Sequence, residues 1–330
     1  MRVTQGIGLV IGSSVGPESL AETAHLAEKS GFGELWLAED FFFTGGISGA
    51  NIALAATETI QVGLGVVSAV VRHPALLAME IATTARAYPG RFTPGIGLGV
   101  PAWMRQMGLL PASPLTAVRE CVASVRRLLD GETVDENGRV FTFDQVELVY
   151  PATGKVPIHL GVIGPKMLEM SGEIADGSIL SVASGVDYIK WARERIDAGR
   201  EKARRGDGHR VTVFAIYAVD GDGERSKRLA RETLAFYKTA GGRNALTDAA
   251  GISDDLEDMA ARGGVEAVTA EMPESWVEAL TIAGTPDEVV GKIETLRRAG
   301  ADSVCLFPAT GEGVTDTIAL TAEEVLPRLG

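Results

Sequence analysis

Two adjacent carboxylates follow a short apolar segment and are the first candidates for chemistry in this sequence. Glu39 and Asp40 come directly after Trp36-Leu37-Ala38. Paired carboxylates at the end of a strand can bind a ligand or move a proton. Alternatively, the two side chains point to opposite sides and one of them caps the following loop. We expect a functional role for at least one of the two.

A second candidate site is a glycine-bearing turn between a predicted strand and a predicted helix. Gly161 and Gly164 precede Pro165 and Lys166, which open the helix. Glycines let backbone N–H groups approach a ligand, and a helix start carries partial positive charge. Lys166 adds a mobile cation. The pattern predicts binding of one phosphate group, with an ordinary tight turn as the alternative.

Glycines also interrupt two other predicted strands. Gly63 and Gly65 weaken the third strand, which indicates a bulge, a close approach by a ligand, or packing against small residues. Gly97 and Gly99 end the fourth strand, but no third glycine opens a helix and no acidic residue follows about 20 positions later. The dinucleotide-binding fingerprint is therefore absent.

Several other sequence features limit the chemistry. Arg72 and His73 precede a helix and either meet an anion or face solvent, and we favour solvent for His73. The sequence has no G-x-S-x-G, P-loop or H-E-x-x-H motif, and its two cysteines and four histidines lack metal-ligand spacing. We expect no metal site, and a bound cofactor would supply the reactivity that the side chains lack.

Composition excludes some classes of partner. The 330 residues carry 31 basic and 44 acidic side chains, a net charge of −13. This balance argues against binding to nucleic acid or to an anionic membrane surface. No apolar run reaches the roughly 18 residues of a membrane span and no signal peptide is recognisable, so we expect a small-molecule enzyme in the cytoplasm.

Eight short apolar segments alternate with longer segments of helical period. The predicted strands are 4–11, 34–38, 61–67, 93–98, 157–163, 178–182, 211–219 and 301–308. Eight strand-then-helix units predict one α/β domain, a (β/α)8 TIM barrel with insertions that spans 1–330. An open doubly wound sheet is the alternative. In a barrel the active site lies at the carboxyl ends of the strands.

Helix and turn signals complete this organisation. Helices are predicted from Pro17 to Gly31, from Pro114 to Gly131, and from a capping box at Thr285. Residues 131–150 are predicted to form a hairpin insertion with a two-residue turn at Asn137-Gly138. Residues 220–284 are predicted to form a helical insertion with two or three helices before the last βα unit.

Taken together, these segments resemble the bacterial luciferase-like superfamily, and within it the branch that uses the 8-hydroxy-5-deazaflavin coenzyme F420. The segments that carry the resemblance are 35–40, 62–66 with 72–74, 89–92 with 95–99, 161–168 with 175–177, and 284–288. The sequence is most similar to methylenetetrahydromethanopterin reductase-like proteins, in which segments like 72–74 and 164–168 occur.

The resemblance implies a barrel that holds the deazaflavin at its strand ends. A non-prolyl cis peptide would lie at Gly65–Val66, the coenzyme phosphate would bind at Val162, Ile163 and Gly164, and Glu39 would contact the ring or its side chain. The full set of predicted coenzyme-binding residues is Glu39, Gly65, Val66, Val67, Ser68, Gly97, Gly99, Gly161, Val162, Ile163, Gly164, Pro165 and Lys166.

Departures from the family pattern bear on the substrate. Deazaflavin-dependent sugar-phosphate dehydrogenases carry a glutamate acid after the strand-four glycines, where this chain has Val100-Pro101. Asp40, which stands where some relatives carry a histidine proposed as base, is then the candidate catalytic acid or base. These features favour hydride transfer to an activated C=C, C=N or C=O bond. Trp103, Met104 and Met107 form either an apolar substrate wall or a packed loop.

Two other functions stay open at this point. One is an FMN-dependent monooxygenase that works with a separate flavin reductase, because FMN also presents a tricyclic ring and a phosphate. The other is a non-catalytic deazaflavin-binding protein. A homo-oligomer, with a dimer favoured, is implied by the resemblance, through the helices predicted at 51–57 or 76–87.

Overall fold

The computed structural model describes residues 3–12, 15–309 and 313–329. In chain order its strands are β1 (Thr4–Ile11), β2 (Phe32–Leu37), β3 (Gln61–Leu64), β4 (Val67–Ser68), β5 (Phe92–Thr93), β6 (Gly95–Gly97), β7 (Val134–Asn137), β8 (Thr142–Val146), β9 (His159–Val162), β10 (Gly177–Leu180), β11 (Arg210–Val219), β12 (Ile282–Gly284) and β13 (Ser303–Pro308).

Helices lie between most of these strands. They are α1 (Leu20–Lys29), α2 (Gly46–Ala55), α3 (Pro74–Ala87), α4 (Pro101–Gln106), α5 (Pro114–Leu129), α6 (Pro165–Ile174), α7 (Val186–Lys202), α8 (Gly223–Gly241), α9 (Ala245–Ala249), α10 (Ser253–Glu271), α11 (Glu274–Leu280), α12 (Pro286–Arg298) and α13 (Val314–Leu320). No helix within the described ranges is long and apolar enough to cross a membrane.

The main sheet is parallel and curls into a barrel. Its strands follow the order β4-β6-β9-β10-β11-β13-β1-β2-β3-β5. β3 and β4 are two halves of one strand, and so are β5 and β6. β3 pairs with β5, and β4 pairs with β6. The third and fourth barrel strands therefore pair with each other along both halves, and this pairing joins the first and last strands of the order. The predicted TIM barrel is confirmed, with β12 added beside β11.

Two strands are interrupted where the sequence prediction made them continuous. The third breaks at Gly65–Val66, which is a cis peptide bond as the resemblance implied. The fourth breaks at Pro94, between β5 and β6. Proline has no N–H to donate to a neighbouring strand, so it ends the regular pairing there. The break at Gly65–Val66 lies near the carboxyl end of its strand, whereas Pro94 has two strand residues before it and three after it.

Aromatic side chains fill the barrel interior and explain two of the glycines. Trp36 and Phe214 meet edge to face with ring centroids 5.6 Å apart. A β-carbon on Gly63 would lie 2.4 Å from the Trp36 ring, and one on Gly65 would lie 2.5 Å from the Phe214 ring. Packing of aromatic rings inside the barrel therefore accounts for both glycines, which differs from the packing against small residues considered from sequence.

The helix signals were reliable. A short 3-10 turn at Pro17–Ser19 leads into α1, and α5, which begins at the predicted Pro114, buries Val118, Val122 and Val125. At α12 the Thr285 side chain accepts a hydrogen bond from the Glu288 N–H, and the Glu288 side chain accepts from the Thr285 N–H. Local capping chemistry thus fixed these helix starts.

The hairpin at 131–150 has a longer turn than the sequence predicted. Asn137 pairs with Thr142 within the β7–β8 ladder, so the loop spans 138–141 and the two-residue turn was wrong. The Glu120 carboxylate on α5 accepts hydrogen bonds from the N–H groups of Arg139, Val140 and Phe141 at 2.9, 2.9 and 3.2 Å. This contact from a distant helix stabilises the wider loop.

The insertion at 220–284 holds four helices, α8 to α11, rather than two or three. α10 is kinked at Gly263-Gly264, where Gly264 has a φ of +62°. Three of them, α8, α10 and α11, pack around a second apolar cluster that includes Leu234, Leu256 and Trp276. The α9 residue Leu246 belongs to the main barrel core instead. The short β12 then joins β11 and leads into α12.

Candidate active site

A cavity of about 410 Å³ lies at the carboxyl ends of β2, β3, β6, β9 and β10. This is the end of a parallel barrel where active sites form. The cavity brings together ten of the predicted site residues, which are Glu39, Asp40, Gly65, Val66, Gly97, Gly99, Gly161, Val162, Ile163 and Gly164. Gly65 and Gly164, from strands that do not pair with each other, therefore face one shared space.

The other four predicted residues do not line this cavity. Val67 is fully buried, and the Ser68 hydroxyl donates to the Leu98 carbonyl oxygen at 2.7 Å, which fixes the exit of β6. Pro165 and Lys166 lie exposed on the first turn of α6, next to the cavity-lining Gly164. Val67 and Ser68 thus support the cavity wall from behind.

The cavity wall is shaped by glycines that accommodate one valine. A β-carbon on Gly97 would lie 2.5 Å from Cγ2 of Val66, and one on Gly161 would lie 2.7 Å from Cγ1 of the same side chain. Gly99 has a φ of +96°, which a side chain rarely adopts. The predicted coenzyme contacts of these glycines stay a prediction, and packing against Val66 is a separate reason for glycine at Gly97 and Gly161.

Glu39 is held firmly at the cavity edge. Arg72 donates two hydrogen bonds to its carboxylate, at 2.7 and 2.8 Å, and the Gly46 N–H donates a third at 2.8 Å. Hydrogen bonding to Glu39 raises the pKa of the Arg72 guanidinium. The sequence predicts that Arg72 either meets an anion or faces solvent. In the structure it binds an acidic side chain of the protein itself.

His73 does not face solvent as we expected. It caps α3, where its Nδ1 accepts from the Ala75 N–H at 3.3 Å, and its ring packs against Phe143 with centroids 4.8 Å apart. Its Nε2 lies 3.2 Å from the Thr142 carbonyl oxygen. The hairpin insertion covers this histidine, and no local pattern indicated that contact.

Asp40 lines the cavity and is close enough to influence a tyrosine of the helical insertion. Burial, together with the negative charge of Asp40, raises the pKa of Tyr237 to about 12. The Tyr237 ring also packs edge to face on Phe307, at the end of β13, with centroids 5.7 Å apart. Sequence reasoning missed Tyr237, because α8 gives no local sign that it reaches the site.

The turn from β9 into α6 is oriented by a buried tyrosine. The Tyr188 hydroxyl on α7 donates to the Ile163 carbonyl oxygen at 2.8 Å, and burial raises the pKa of Tyr188, so it remains a donor. The C=O and N–H of one trans peptide point in opposite directions. Tyr188 therefore also orients the Gly164 N–H, and no side chain caps α6. Tyr188 is a second residue that the sequence did not reveal.

The outer wall of the cavity is apolar. Phe41, Val100 and Trp103 line it, and the rings of Phe41 and Trp103 lie 6.1 Å apart. Of the two alternatives for Met104, wall or packed loop, the packed loop holds, because this side chain is fully buried. Met107 is half-buried and lies outside the lining.

Ordinary nucleophile and metal sites are not evident in the part of the chain that the structure describes. No group of three His, Cys, Asp or Glu side chains there is placed to hold a metal ion. Both cysteines are buried, and burial raises the pKa of the Cys121 thiol to about 12.

Known proteins match nearly the whole chain. The 5,10-methylenetetrahydromethanopterin reductase of Archaeoglobus fulgidus is 31% identical over 313 residues, which cover 92% of this chain and 93% of that protein. The F420-dependent glucose-6-phosphate dehydrogenase of Nakamurella multipartita is 28% identical over 334 residues, covering 95% and 93%. The solved coenzyme F420-dependent tetrahydromethanopterin reductase from Methanopyrus kandleri covers all of both chains, with a TM-score of 0.87 and 25% identity.

The family profile agrees with these relatives and with the barrel. The profile of the luciferase-like monooxygenase family matches residues 4–303. This range contains seven of the eight barrel strands in full and ends at Ser303, the first residue of β13. The chain therefore belongs to the luciferase-like monooxygenase family.

Proposed function

We propose that this protein is an oxidoreductase that transfers hydride between coenzyme F420, bound in the cavity at the strand ends, and a small organic substrate. The observation that carries the proposal is the shared cavity between Gly65 and Gly164. Relatives named as F420-dependent enzymes, at 25 to 28% identity over nearly the full chain, support the choice of coenzyme.

The residues at the cavity fit a flat ring with a phosphate-bearing tail. The backbone at 65–66 and 97–99 and the side chain of Phe214 line the cavity, so a flat ring would lie against peptide groups and an aromatic side chain. The Gly164 N–H and the uncapped start of α6 would meet the phosphate, with Lys166 beside them. In a protein of net charge −13, such local donors are needed to hold an anion.

The protein's part in the reaction would be binding, orientation and one proton. The bound deazaflavin supplies the hydride chemistry. Phe41 and Trp103 would exclude water from the reacting atoms, and Asp40 would hold or deliver the proton that accompanies reduction of the substrate. Glu39, fixed by Arg72, is kept as a proposed contact of the coenzyme.

Several features favour reduction of a C=C, C=N or C=O bond over oxidation of a sugar phosphate. Val100-Pro101 stands where the sugar-phosphate dehydrogenases of this superfamily carry their glutamate acid. The described residues that line the cavity include no lysine, arginine or histidine to meet a phosphorylated substrate. The proposed phosphate site on α6 would be taken by the coenzyme itself.

Titration with oxidised F420, reduced F420 and FMN tests the proposal. We expect F420 to bind with a dissociation constant in the micromolar range and FMN to bind much more weakly. Lys166→Gln should weaken F420 binding without lowering the midpoint of thermal unfolding, because Lys166 is exposed. Binding of FMN instead of F420, with oxygen consumption by the reduced protein, would establish the monooxygenase alternative.

Steady turnover distinguishes an enzyme from a non-catalytic F420-binding protein. Oxidation of reduced F420, followed with a panel of ketones, enones and imines, should continue beyond one equivalent of protein. A single turnover or none, with tight coenzyme binding, would favour the binding protein.

We also propose that the protein forms a homodimer and acts in the cytoplasm. Leu76 and Met79 on α3 and Ile52 on α2 are exposed apolar residues, as a helix-to-helix contact would require. Sedimentation velocity should give a dimer, and Leu76→Glu should shift the protein towards a monomer. A monomeric parent protein would contradict the dimer.

A further inference from the structure

The mouth of the active-site cavity carries aromatic surface beyond the residues proposed to hold the coenzyme. Phe41 lines the cavity and contacts the rings of both Trp103 and Phe42, at 6.1 and 6.4 Å. Phe42 is 68% exposed and has a φ of +75°, an uncommon conformation for a bulky residue. Val100 adds a further exposed apolar side chain. Together these four residues form what we call the aromatic mouth.

The charges around this mouth disfavour an anion. Among the described residues that line the cavity, the ionisable ones are Glu39 and Asp40, and both are acidic. The nearby cations are committed or turned away, and Lys166 is assigned to the coenzyme phosphate in the proposed function. Arg72 pairs with Glu39, and Arg105 lies two positions from Trp103, about 200° around α4 at 3.6 residues per turn. An anionic substrate would lose its hydration here without gaining a cation.

The aromatic mouth also continues directly into the proposed reaction space. Phe41 and Trp103 line the same cavity as Gly65 and Gly164. A planar apolar group on the mouth would therefore place an attached polar group above the coenzyme ring. An apolar pocket with a few convergent polar groups is the usual form of a small-molecule site.

We propose that the substrate is an aromatic carbonyl compound that carries no anionic group. The inference rests on the proposed function. Its aromatic ring packs on Phe41 and Trp103 while its C=O lies beside Asp40. Hydride from reduced F420 forms the new C–H bond at the carbonyl carbon, and the C=O π bond breaks. The proton from Asp40 or from a water on Asp40 forms the O–H bond. The coenzyme ring releases one proton after it loses hydride, which replaces the proton taken from Asp40, so the products are an alcohol and oxidised F420.

A matched pair of ligands tests the charge requirement. The protein saturated with oxidised F420 is titrated by calorimetry with para-acetylbenzamide and with para-acetylbenzoate, which differ mainly in charge. We expect the neutral amide to bind at least about tenfold more tightly, since an uncompensated charge is costly in a desolvated site. Equal or tighter binding of the benzoate would overturn the inference.

Variants test where the ligand binds. Trp103→Leu should weaken binding of the amide about threefold to tenfold and leave F420 affinity unchanged. Asp40→Asn should reduce the difference in affinity between the amide and the benzoate. Tyr150→Leu is the control, because Tyr150 is an exposed aromatic residue outside the cavity. If Trp103→Leu and Tyr150→Leu change the affinity for the amide equally, the aromatic mouth is not the substrate surface. The same conclusion follows if Trp103→Leu changes only the oligomeric state, as measured by sedimentation velocity.

The two proposals fail in different ways. Loss of F420 binding in the initial titration removes the proposed function and this inference with it. Retained F420 binding, with turnover that prefers anionic or aliphatic substrates over para-acetylbenzamide, removes only the inference about the substrate class.

Discussion

A β-carbon on Gly161 would lie only 2.7 Å from Cγ1 of Val66. Val66 lies in the break between β3 and β4, and its side chain projects towards β6 and β9, where Gly97 and Gly161 lie. The isopropyl group occupies the space that side chains on those two strands would need. The shape of the candidate site therefore depends on a packing relationship among three strands.

Replacement of Gly161 by alanine should destabilise the protein, and truncation of Val66 should relieve the effect. We expect Gly161→Ala to lower the free energy of unfolding by about 1–3 kcal/mol, as overpacking usually does. In the Val66→Ala background the same change should cost at least about 1 kcal/mol less. Urea denaturation of the four proteins in this double-mutant cycle measures the difference.

Gly164→Ala is the matched control for that cycle. A β-carbon on Gly164 would meet nothing within 4 Å, and its φ is negative. Its unfolding free energy should change by less than about 0.5 kcal/mol. A cost at Gly161 that is the same in both Val66 backgrounds would show that another contact requires this glycine.

Much of the barrel could be predicted because its signals are local. Three examples are the apolar strands, the proline at the start of α5 and the Thr285–Glu288 capping box. Each of these signals is contained within a few consecutive residues. The partners of the site residues could not be predicted in this way. Tyr188 reaches the site from α7 and Tyr237 from α8, and neither helix has a sequence pattern that indicates which residue turns inward.

The same limit explains the glycines. Their positions were evident, but the side chains that fill the adjacent space come from other strands, as Trp36 does for Gly63 and Val66 does for Gly97. A glycine required by packing and a glycine required by a ligand look alike in a sequence. The three-dimensional neighbour distinguishes them.

Removal of the Tyr188 hydroxyl should weaken coenzyme binding more than it weakens the fold. Tyr188→Phe leaves the Ile163 carbonyl without its hydrogen bond and frees the peptide that carries the Gly164 N–H. We expect F420 affinity to fall about threefold to tenfold, with a loss of about 1 kcal/mol in unfolding free energy.

Tyr217→Phe controls for the loss of a buried hydroxyl. Tyr217 is also buried, and its hydroxyl lies 2.9 Å from the Thr321 hydroxyl, away from the cavity lining. Its stability loss should be similar, with unchanged F420 affinity. Equal losses of affinity in the two variants would argue against a specific role for Tyr188 in the phosphate-binding turn.

Loss of the ion pair between Glu39 and Arg72 should lower the stability of the protein, and neutralising both residues should recover part of that stability. Arg72→Gln leaves a carboxylate that is only 6% exposed with one remaining backbone donor. We expect it to lower the free energy of unfolding by about 3 kcal/mol. The double variant Glu39→Gln/Arg72→Gln should be more stable than Arg72→Gln alone, and thermal unfolding compares them. Additive losses would contradict this coupling.

Asparagine in place of Asp40 should slow turnover while coenzyme binding persists. If Asp40 handles the proton, Asp40→Asn should lower kcat by about 10²- to 10⁴-fold, the range of general acid–base catalysis. The F420 dissociation constant should change little. Asp144→Asn, an exposed carboxylate on the hairpin, is the control. A higher KM with an unchanged kcat would assign Asp40 to substrate binding instead.

The barrel interior near Trp36 should become less stable in acid because it contains a buried neutral histidine. His159 is 4% exposed and its ring lies 5.9 Å from that of Trp36. Burial, followed by the nearby charges of Arg210 and His209, lowers the pKa of His159 from 6.5 to about 3. Between those values the unfolded chain binds a proton that the folded protein does not. Stability is therefore lost as the pH falls through this window, by up to about 1.4 kcal/mol per pH unit for this one group.

His159→Phe removes the titrating group and keeps an aromatic ring, so its unfolding free energy should fall less between about pH 6 and about pH 4 than that of the parent protein. Urea denaturation at both pH values measures the two slopes, and the other acidic groups contribute equally to both proteins. Parallel slopes would show that His159 is protonated in the folded barrel or exposed to water.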